Sequence, residues 1–267
     1  MSDRPIGVFD SGLGGLTVVR ELKRLLPNED IVYFGDTGRV PYGTRSSQTI
    51  EQYAREDESF LLSKNVKMII AACGTVSSVA PHTGDELPVP FLGVVGPAAD
   101  AAAKATKNKK IGVIGTSATI ASKAYEKALL QHDDSFQITA VDCPLFVPIV
   151  ESGWIDRNDQ VAIFTAKRYL EPMQQAGVDT LILGCTHYPL LSDIIGDIMG
   201  SGVTLISAGA AAAESAAHKL KQDNLLTDKS GSGKYDFYVT DRPDGFQKIA
   251  SLFLQEDIGA NVSQVAI

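Results

Sequence analysis

Twice in this chain a run of apolar, β-prone residues ends at a small residue and a cysteine, and a polar loop follows. The first stretch is Lys67-Met68-Ile69-Ile70-Ala71-Ala72-Cys73-Gly74-Thr75, and the second is Leu181-Ile182-Leu183-Gly184-Cys185-Thr186-His187-Tyr188-Pro189. A continuous apolar run bounded by turn residues reads as a strand buried on both faces. Such strands belong to parallel sheets covered by helices. In open α/β sheets the loops at the C-terminal ends of the strands build ligand sites. The pattern therefore commits the chain to an α/β fold and sets two thiols where a ligand would lie. One such cysteine alone reads equally well as buried and inert. A matched pair, each at the end of its own strand, argues for a paired arrangement.

The rest of the chain repeats itself around these two stretches. Ile6-Gly7-Val8-Phe9 predicts a short buried strand running into the glycine-rich loop Asp10-Ser11-Gly12-Leu13-Gly14-Gly15, and Ile111-Gly112-Val113-Ile114-Gly115-Thr116-Ser117 has the same outline. Each opening precedes its cysteine strand at a similar offset, which suggests two related α/β halves. After the first loop, Leu16, Val19, Leu22, Leu25 and Leu26 recur at helical spacing until Pro27 stops the helix. Further strands are expected at Ile31–Phe34, at Val89–Val95 (interrupted by Pro90), at Gln137–Val141, at Val203–Ser207 and at Tyr235–Thr240. Helices are expected over 48–64, 97–105, 119–131, 158–176, 210–220 and 243–255, the last packing on the first half. Pro144 and Pro148 mark a loop, and the tail after Gly259 carries no pattern.

The glycine-rich loop lacks the spacing of a dinucleotide fingerprint and has no P-loop lysine. It reads better as a loop whose backbone N–H groups and Ser11 hydroxyl hold a small anion at a helix N-terminus. Asp10 fits such a site as a proton-handling group or opposite an ammonium, and fits a plain turn carboxylate equally.

Composition removes several function classes. The 267 residues carry a formal net charge of −8, which argues against a nucleic-acid surface. No apolar run reaches the length of a bilayer span and no signal-peptide pattern precedes the first strand, so the cytoplasm is the expected compartment. Three widely spaced cysteines, without a C-x-x-C pair, predict neither a zinc site nor a disulfide framework. Cys143, in Asp142-Cys143-Pro144, lacks the polar loop of the other two and reads as structural.

Two opposed thiols suit one reaction above others: a proton leaves one face of a carbon and another returns to the opposite face. A thiolate serves as base and a thiol as acid, with the roles exchanged when the direction reverses. Asp10 and His187 would assist, each on its own side. With no pattern for a cofactor, the site itself must stabilise the carbanion by hydrogen bonds and exclusion of water.

At these residues the chain is similar to the glutamate racemases of the aspartate/glutamate racemase superfamily. The resemblance rests on Gly7-Val8-Phe9-Asp10-Ser11-Gly12-Leu13-Gly14-Gly15-Leu16-Thr17, Tyr33-Phe34-Gly35-Asp36-Thr37, Val40-Pro41-Tyr42-Gly43, Ala72-Cys73-Gly74-Thr75 and Leu183 to Pro189, in family order over nearly the whole chain. It implies cofactor-independent interconversion of L- and D-glutamate, supplying D-glutamate for peptidoglycan. It implies Cys73 and Cys185 as the two proton carriers, supported by Asp10, His187 and the carboxylate of Glu151. Asp10-Ser11, Tyr42-Gly43, Gly74-Thr75 and Thr186-His187 match the family's substrate-contacting pairs. The resemblance also implies two pseudo-symmetric lobes, residues 1–97 with 208–267 and residues 98–207, an active site in the crevice between them, and commonly a homodimer. No metal, nucleic acid or membrane is expected. One departure is Gly74, where the family usually has asparagine; a backbone N–H at Gly74 or Thr75, or a water, would have to replace that amide. The competing readings are a racemase of aspartate or another small acid on the same fold, and a two-lobed binding protein without turnover.

Overall fold

A computed structural model describes residues 1–256 and 262–267. The chain opens with β1 (Ile6–Asp10), α1 (Leu16–Leu25), β2 (Ile31–Gly35), α2 (Ser47–Ser63), β3 (Met68–Ala71), α3 (Gly74–Val79), β4 (Phe91–Gly93) and α4 (Val95–Ala105). It then starts again with β5 (Lys110–Gly115), α5 (Ser117–Ser122), α6 (Ala124–His132), β6 (Gln137–Asp142), α7 (Phe146–Glu151), α8 (Gln160–Ala176), β7 (Thr180–Leu183), α9 (Ser192–Met199) and β8 (Thr204–Ser207). The last part adds α10 (Ala208–Gln222), β9 (Tyr235–Val239), α11 (Pro243–Leu254) and β10 (Val262–Gln264).

The strands form two sheets, in the orders β10-β9-β2-β1-β3-β4 and β6-β5-β7-β8. Every neighbouring pair is parallel. β1, β2, β3 and β7 are buried at every residue, as strands covered on both faces must be. Helices supply that cover. On α1 the stripe Leu16, Val18, Val19 and Leu22 is buried, and Lys23 and Arg24 close the last turn, where cations oppose the helix dipole favourably. α1 packs on both α10 and α11, so the C-terminal helix does sit on the first half. β9 and β10 extend the first sheet beside β2, which makes that sheet discontinuous in sequence.

Several local expectations differ from the structure. The helix expected over 119–131 is two, because Lys123 adopts a left-handed conformation (φ 56°) between α5 and α6. The strand expected from Val89 is only Phe91–Gly93, since Pro90 cannot donate to the ladder and Val95 already begins α4. Pro144 and Pro148 do not keep their segment a loop: α7 forms, with Pro148 in the first turn, where a missing N–H costs nothing. α8 begins at Gln160 because the Asp159 carboxylate caps it, accepting from Ala162 N at 2.9 Å. The tail carries β10, whose partner is β9; the expectation of a patternless tail falls partly outside the described residues, at 257–261.

Candidate active site

In each sheet the chain reverses its direction of progress across the strands. β2 lies on one side of β1 and β3 on the other; β6 and β7 flank β5 in the same way. A crevice opens at such a switch point, beyond the carboxyl ends of the strands. At the first one, Asp10 ends β1 and Cys73 follows β3; at the second, Thr116 follows β5 and Cys185 follows β7. A single cavity of about 350 Å³ joins the two. Asp10, Ser11, Tyr42, Gly43, Cys73, Gly74 and Thr75 line it from the first sheet's side, and Glu151, Cys185, Thr186 and His187 from the second. Every residue singled out in the sequence is therefore on one wall or the other.

Cys73 is buried and donates to Ser11 Oγ at 3.6 Å. It stands at the N-cap position of α3, where backbone N–H groups of a helix start would favour its thiolate. Burial outweighs them: desolvation, reinforced by the negative charge of Asp10, pushes the thiol up to about 12 against the opposing contacts of Val76 and Ser11. Asp10 is itself buried. Desolvation raises its pKa, and the charge of His187 across the cavity pulls the other way. One Asp10 oxygen accepts from Gly12 N at 3.0 Å, so the turn-carboxylate role holds as well. Tyr33, buried beneath, donates to Gly12 O at 2.8 Å and fixes this loop.

Cys185 has a different neighbour. Its sulfur lies 3.9 Å from His187 Nδ1, and His187 Nε2 lies 3.0 Å from Glu151 Oε1. Burial alone would lower the imidazole's pKa. The hydrogen bonds to Cys185 and Glu151 more than reverse that and carry it to about 10. Glu151 stands at the end of α7, so the unexpected helix is what delivers this carboxylate to His187.

The two sides meet backbone to side chain at the glycine-rich loop. A Cβ on Gly14 would stand 2.0 Å from Thr186 Oγ1 and 2.5 Å from His187 Nδ1. Thr17 Oγ1, one turn on, donates to Thr186 O at 3.2 Å. Gly14 thus seats the second half's histidine, a steric role that the glycine spacing did not disclose. Gly74 likewise packs on the backbone of Gly184.

Sequence reading missed Thr116 and Ser117. Both line the cavity, and Thr116 Oγ1 lies 3.1 Å from Thr75 Oγ1, a hydroxyl pair across the crevice. Their position in the repeated opening, where Thr116 stands as Ser11 does and Ser117 as Gly12, was the available signal. Cys143 also reaches the cavity wall, yet its thiol points to Val141 O at 3.8 Å and burial pushes its pKa up strongly. Among the described residues no group of three or more His, Cys, Asp or Glu side chains is placed to hold a metal ion. No helix among them is long and apolar enough to cross a membrane.

Comparison with known proteins agrees with this geometry. A glutamate racemase of Geobacter metallireducens is 43% identical over 265 residues, 99% of this chain and 97% of that protein. The crystal structure of a Bacillus anthracis glutamate racemase superposes with a TM-score of 0.95 at 38% identity, covering 100% of this chain and 99% of that one. A Francisella tularensis glutamate racemase, solved in complex with D-glutamate, gives 0.92 at 36% identity, covering 100% and 98%. The family model for Asp/Glu/hydantoin racemases matches residues 6–216. With its two facing switch points and a cysteine at each, the chain belongs to the Asp/Glu/hydantoin racemase family.

Proposed function

We propose that the chain is a cofactor-independent glutamate racemase working with two thiols. The observation that carries this reading is that Cys73 and Cys185 come from opposite sheets to the wall of one cavity. A substrate held between them presents the two faces of its Cα to different sulfurs. One thiolate takes the α-proton and becomes a thiol, leaving a carbanion. The opposite thiol gives its proton to the other face and becomes a thiolate. The product is the other enantiomer, and the two sulfurs have exchanged roles.

The environments support a starting state. The high pKa of Cys73 keeps it a thiol, ready to donate, while His187, held as an imidazolium by its hydrogen bonds, stands beside the Cys185 sulfur. Entry from the other enantiomer requires the reverse assignment, with Ser11 and Asp10 receiving the change on the Cys73 side. The substrate's two carboxylates and ammonium would be held by Ser11, the Tyr42-Gly43 and Gly74-Thr75 backbones and the Thr186 hydroxyl. The largely apolar lining raises the worth of each such contact. Glutamate is favoured over aspartate by the relatives named above.

The same reading divides the chain into lobes 1–97 with 208–267 and 98–207. It has the protein act in the cytoplasm, commonly as a homodimer, and supply D-glutamate to peptidoglycan. The test is circular dichroism of L-glutamate and, separately, D-glutamate incubated with the purified protein without added cofactor or metal. Both signals should decay to zero. Decay with aspartate alone would move the substrate, and no decay with either would overturn the reading.

A further inference from the structure

Behind Tyr42 lies a buried polar cluster that the proton transfers do not use. Asp36 and Asp57 are both 0% exposed. The Tyr42 hydroxyl is in hydrogen-bond contact with Asp36 Oδ2 and lies 3.1 Å from Asp57 Oδ2. Arg39 joins the same group: its Nε lies 2.5 Å from Asp36 Oδ2 and its Nη2 3.3 Å from Asp57 Oδ1, and it also contacts Glu56. Thr240 Oγ1 donates to Asp36 Oδ1 at 2.8 Å.

The protons can be counted. A tyrosine hydroxyl has one hydrogen to give. Asp36 receives donors on both oxygens, from Thr240 on one and from Arg39 and Tyr42 on the other, as an ionised carboxylate should. Tyr42 then has nothing left for Asp57. Were Asp57 also ionised, its Oδ2 would face the lone pairs of the Tyr42 oxygen in a dry site, an arrangement that costs rather than stabilises. A proton on Asp57 Oδ2 removes the conflict. Burial, with the charge of Asp36 adding to it, pushes the Asp57 carboxyl in that direction.

We propose that Asp57 is held as a neutral carboxylic acid that donates to the Tyr42 hydroxyl while Tyr42 donates to Asp36, and that this chain of protons positions the Pro41-Tyr42-Gly43 wall of the substrate cavity. The inference rests on the racemase reading for its kinetic consequence. Tyr42 begins a short turn, Tyr42–Thr44, whose next residue faces the other half: a Cβ on Gly43 would lie 3.0 Å from Thr116 Cβ. Where Tyr42 is anchored therefore sets the width of the crevice at that point. Asp57 touches no reacting atom and acts through Tyr42 as a positioning residue.

Asp57→Asn, Asp57→Ala and Tyr42→Phe distinguish this role from a general structural one. Asparagine offers an N–H toward Tyr42 and a carbonyl toward Arg39, so it reproduces the neutral acid. With glutamate as substrate, D57N should hold KM within about twofold of the unchanged protein, while D57A and Y42F raise it about tenfold with kcat little changed. Equal damage in D57N and D57A would mean the anion is required and would overturn the proposal, as would an unchanged KM in D57A. Infrared difference spectra of the unchanged protein against D57N give a readout that needs no turnover: a protonated-carboxyl C=O band should vanish in the variant. Its absence from the unchanged protein would overturn the proposal, including where D57A does not fold. Failure of the unchanged protein to racemise glutamate would instead sink the racemase reading, and the infrared band would still decide the state of Asp57.

Discussion

Gly74, the first residue of α3, lies against the carbonyl oxygen of Gly184 at the end of β7: a Cβ at position 74 would stand 2.3 Å from that oxygen. The residue after the first cysteine is thus a seam between the two halves, and a side chain there must push the second half's backbone aside. Overpacking of this kind costs about 1–3 kcal/mol. Gly74→Ala and Gly74→Asn should therefore both raise KM for glutamate, roughly 10- to 100-fold if the cost falls on the bound state. Steady-state kinetics by circular dichroism will measure it. A lower KM in G74N, through an added amide contact to substrate, would show that the seam opens freely.

Replacing either thiol by a hydroxyl removes a proton carrier while keeping its shape. Cys73→Ser and Cys185→Ser should each lower racemisation by about 10²- to 10⁴-fold. In deuterium oxide, NMR should find each variant's residual Cα exchange confined to one enantiomer, a different one for each. Full racemisation by both variants would exclude the two-thiol mechanism.

Glu151 and His187 form a 3.0 Å pair whose carboxylate helps to hold the imidazole protonated. Glu151→Gln removes that charge, so the His187 pKa falls. With the imidazolium lost earlier, the alkaline limb of the pH–rate profile should move to lower pH, with a loss of about tenfold or less at neutral pH because Glu151 is part-exposed. A profile that keeps its alkaline limb in place would detach Glu151 from the proton chemistry.

Cys73 also ties stability to pH. Its folded pKa of about 12 lies above the roughly 8.5 of an unfolded cysteine. Below about 8.5 the thiol is protonated in both states and its stabilising effect is complete. As pH rises further the unfolded chain ionises first, so that contribution is lost progressively toward pH 12. Urea midpoints at pH 8 and pH 10.5 should therefore fall less for Cys73→Ala than for the unchanged protein. Parallel falls would refute the assignment.

The fold and the site were legible in different measure. β1, β3 and β7 announce themselves because strands buried on both faces leave no polar interruption, and the residues that follow them are forced to the sheet's carboxyl edge. That is why Asp10, Cys73, Cys185 and His187 emerged from the chain. α7 did not, since two prolines look like a loop until one of them falls in a first turn. β10 is three residues with little burial, so it has no apolar signature. Thr116 carries no chemistry that distinguishes it from an ordinary helix cap, which it also is, accepting from Thr119 N at 3.3 Å. The cluster around Asp57 was beyond reach for another reason. Asp36, Asp57 and Thr240 come from a strand end, a mid-helix position and the far end of the sequence; α2 brings Asp57 to the group, and the pairing of β9 with β2 brings Thr240.

The unlike companions of the two sulfurs, a hydroxyl beside Cys73 and an imidazole beside Cys185, meet a constraint that no sequence change can lift. Mirror-image amino acids have equal free energies in water, so a catalyst that interconverts them must have the same kcat/KM in both directions. Whatever advantage the imidazole gives to turnover from one enantiomer has to be matched by a proportionate difference in KM. The asymmetry between the halves therefore governs which enantiomer is held longer and which is turned over faster, and never where the mixture comes to rest.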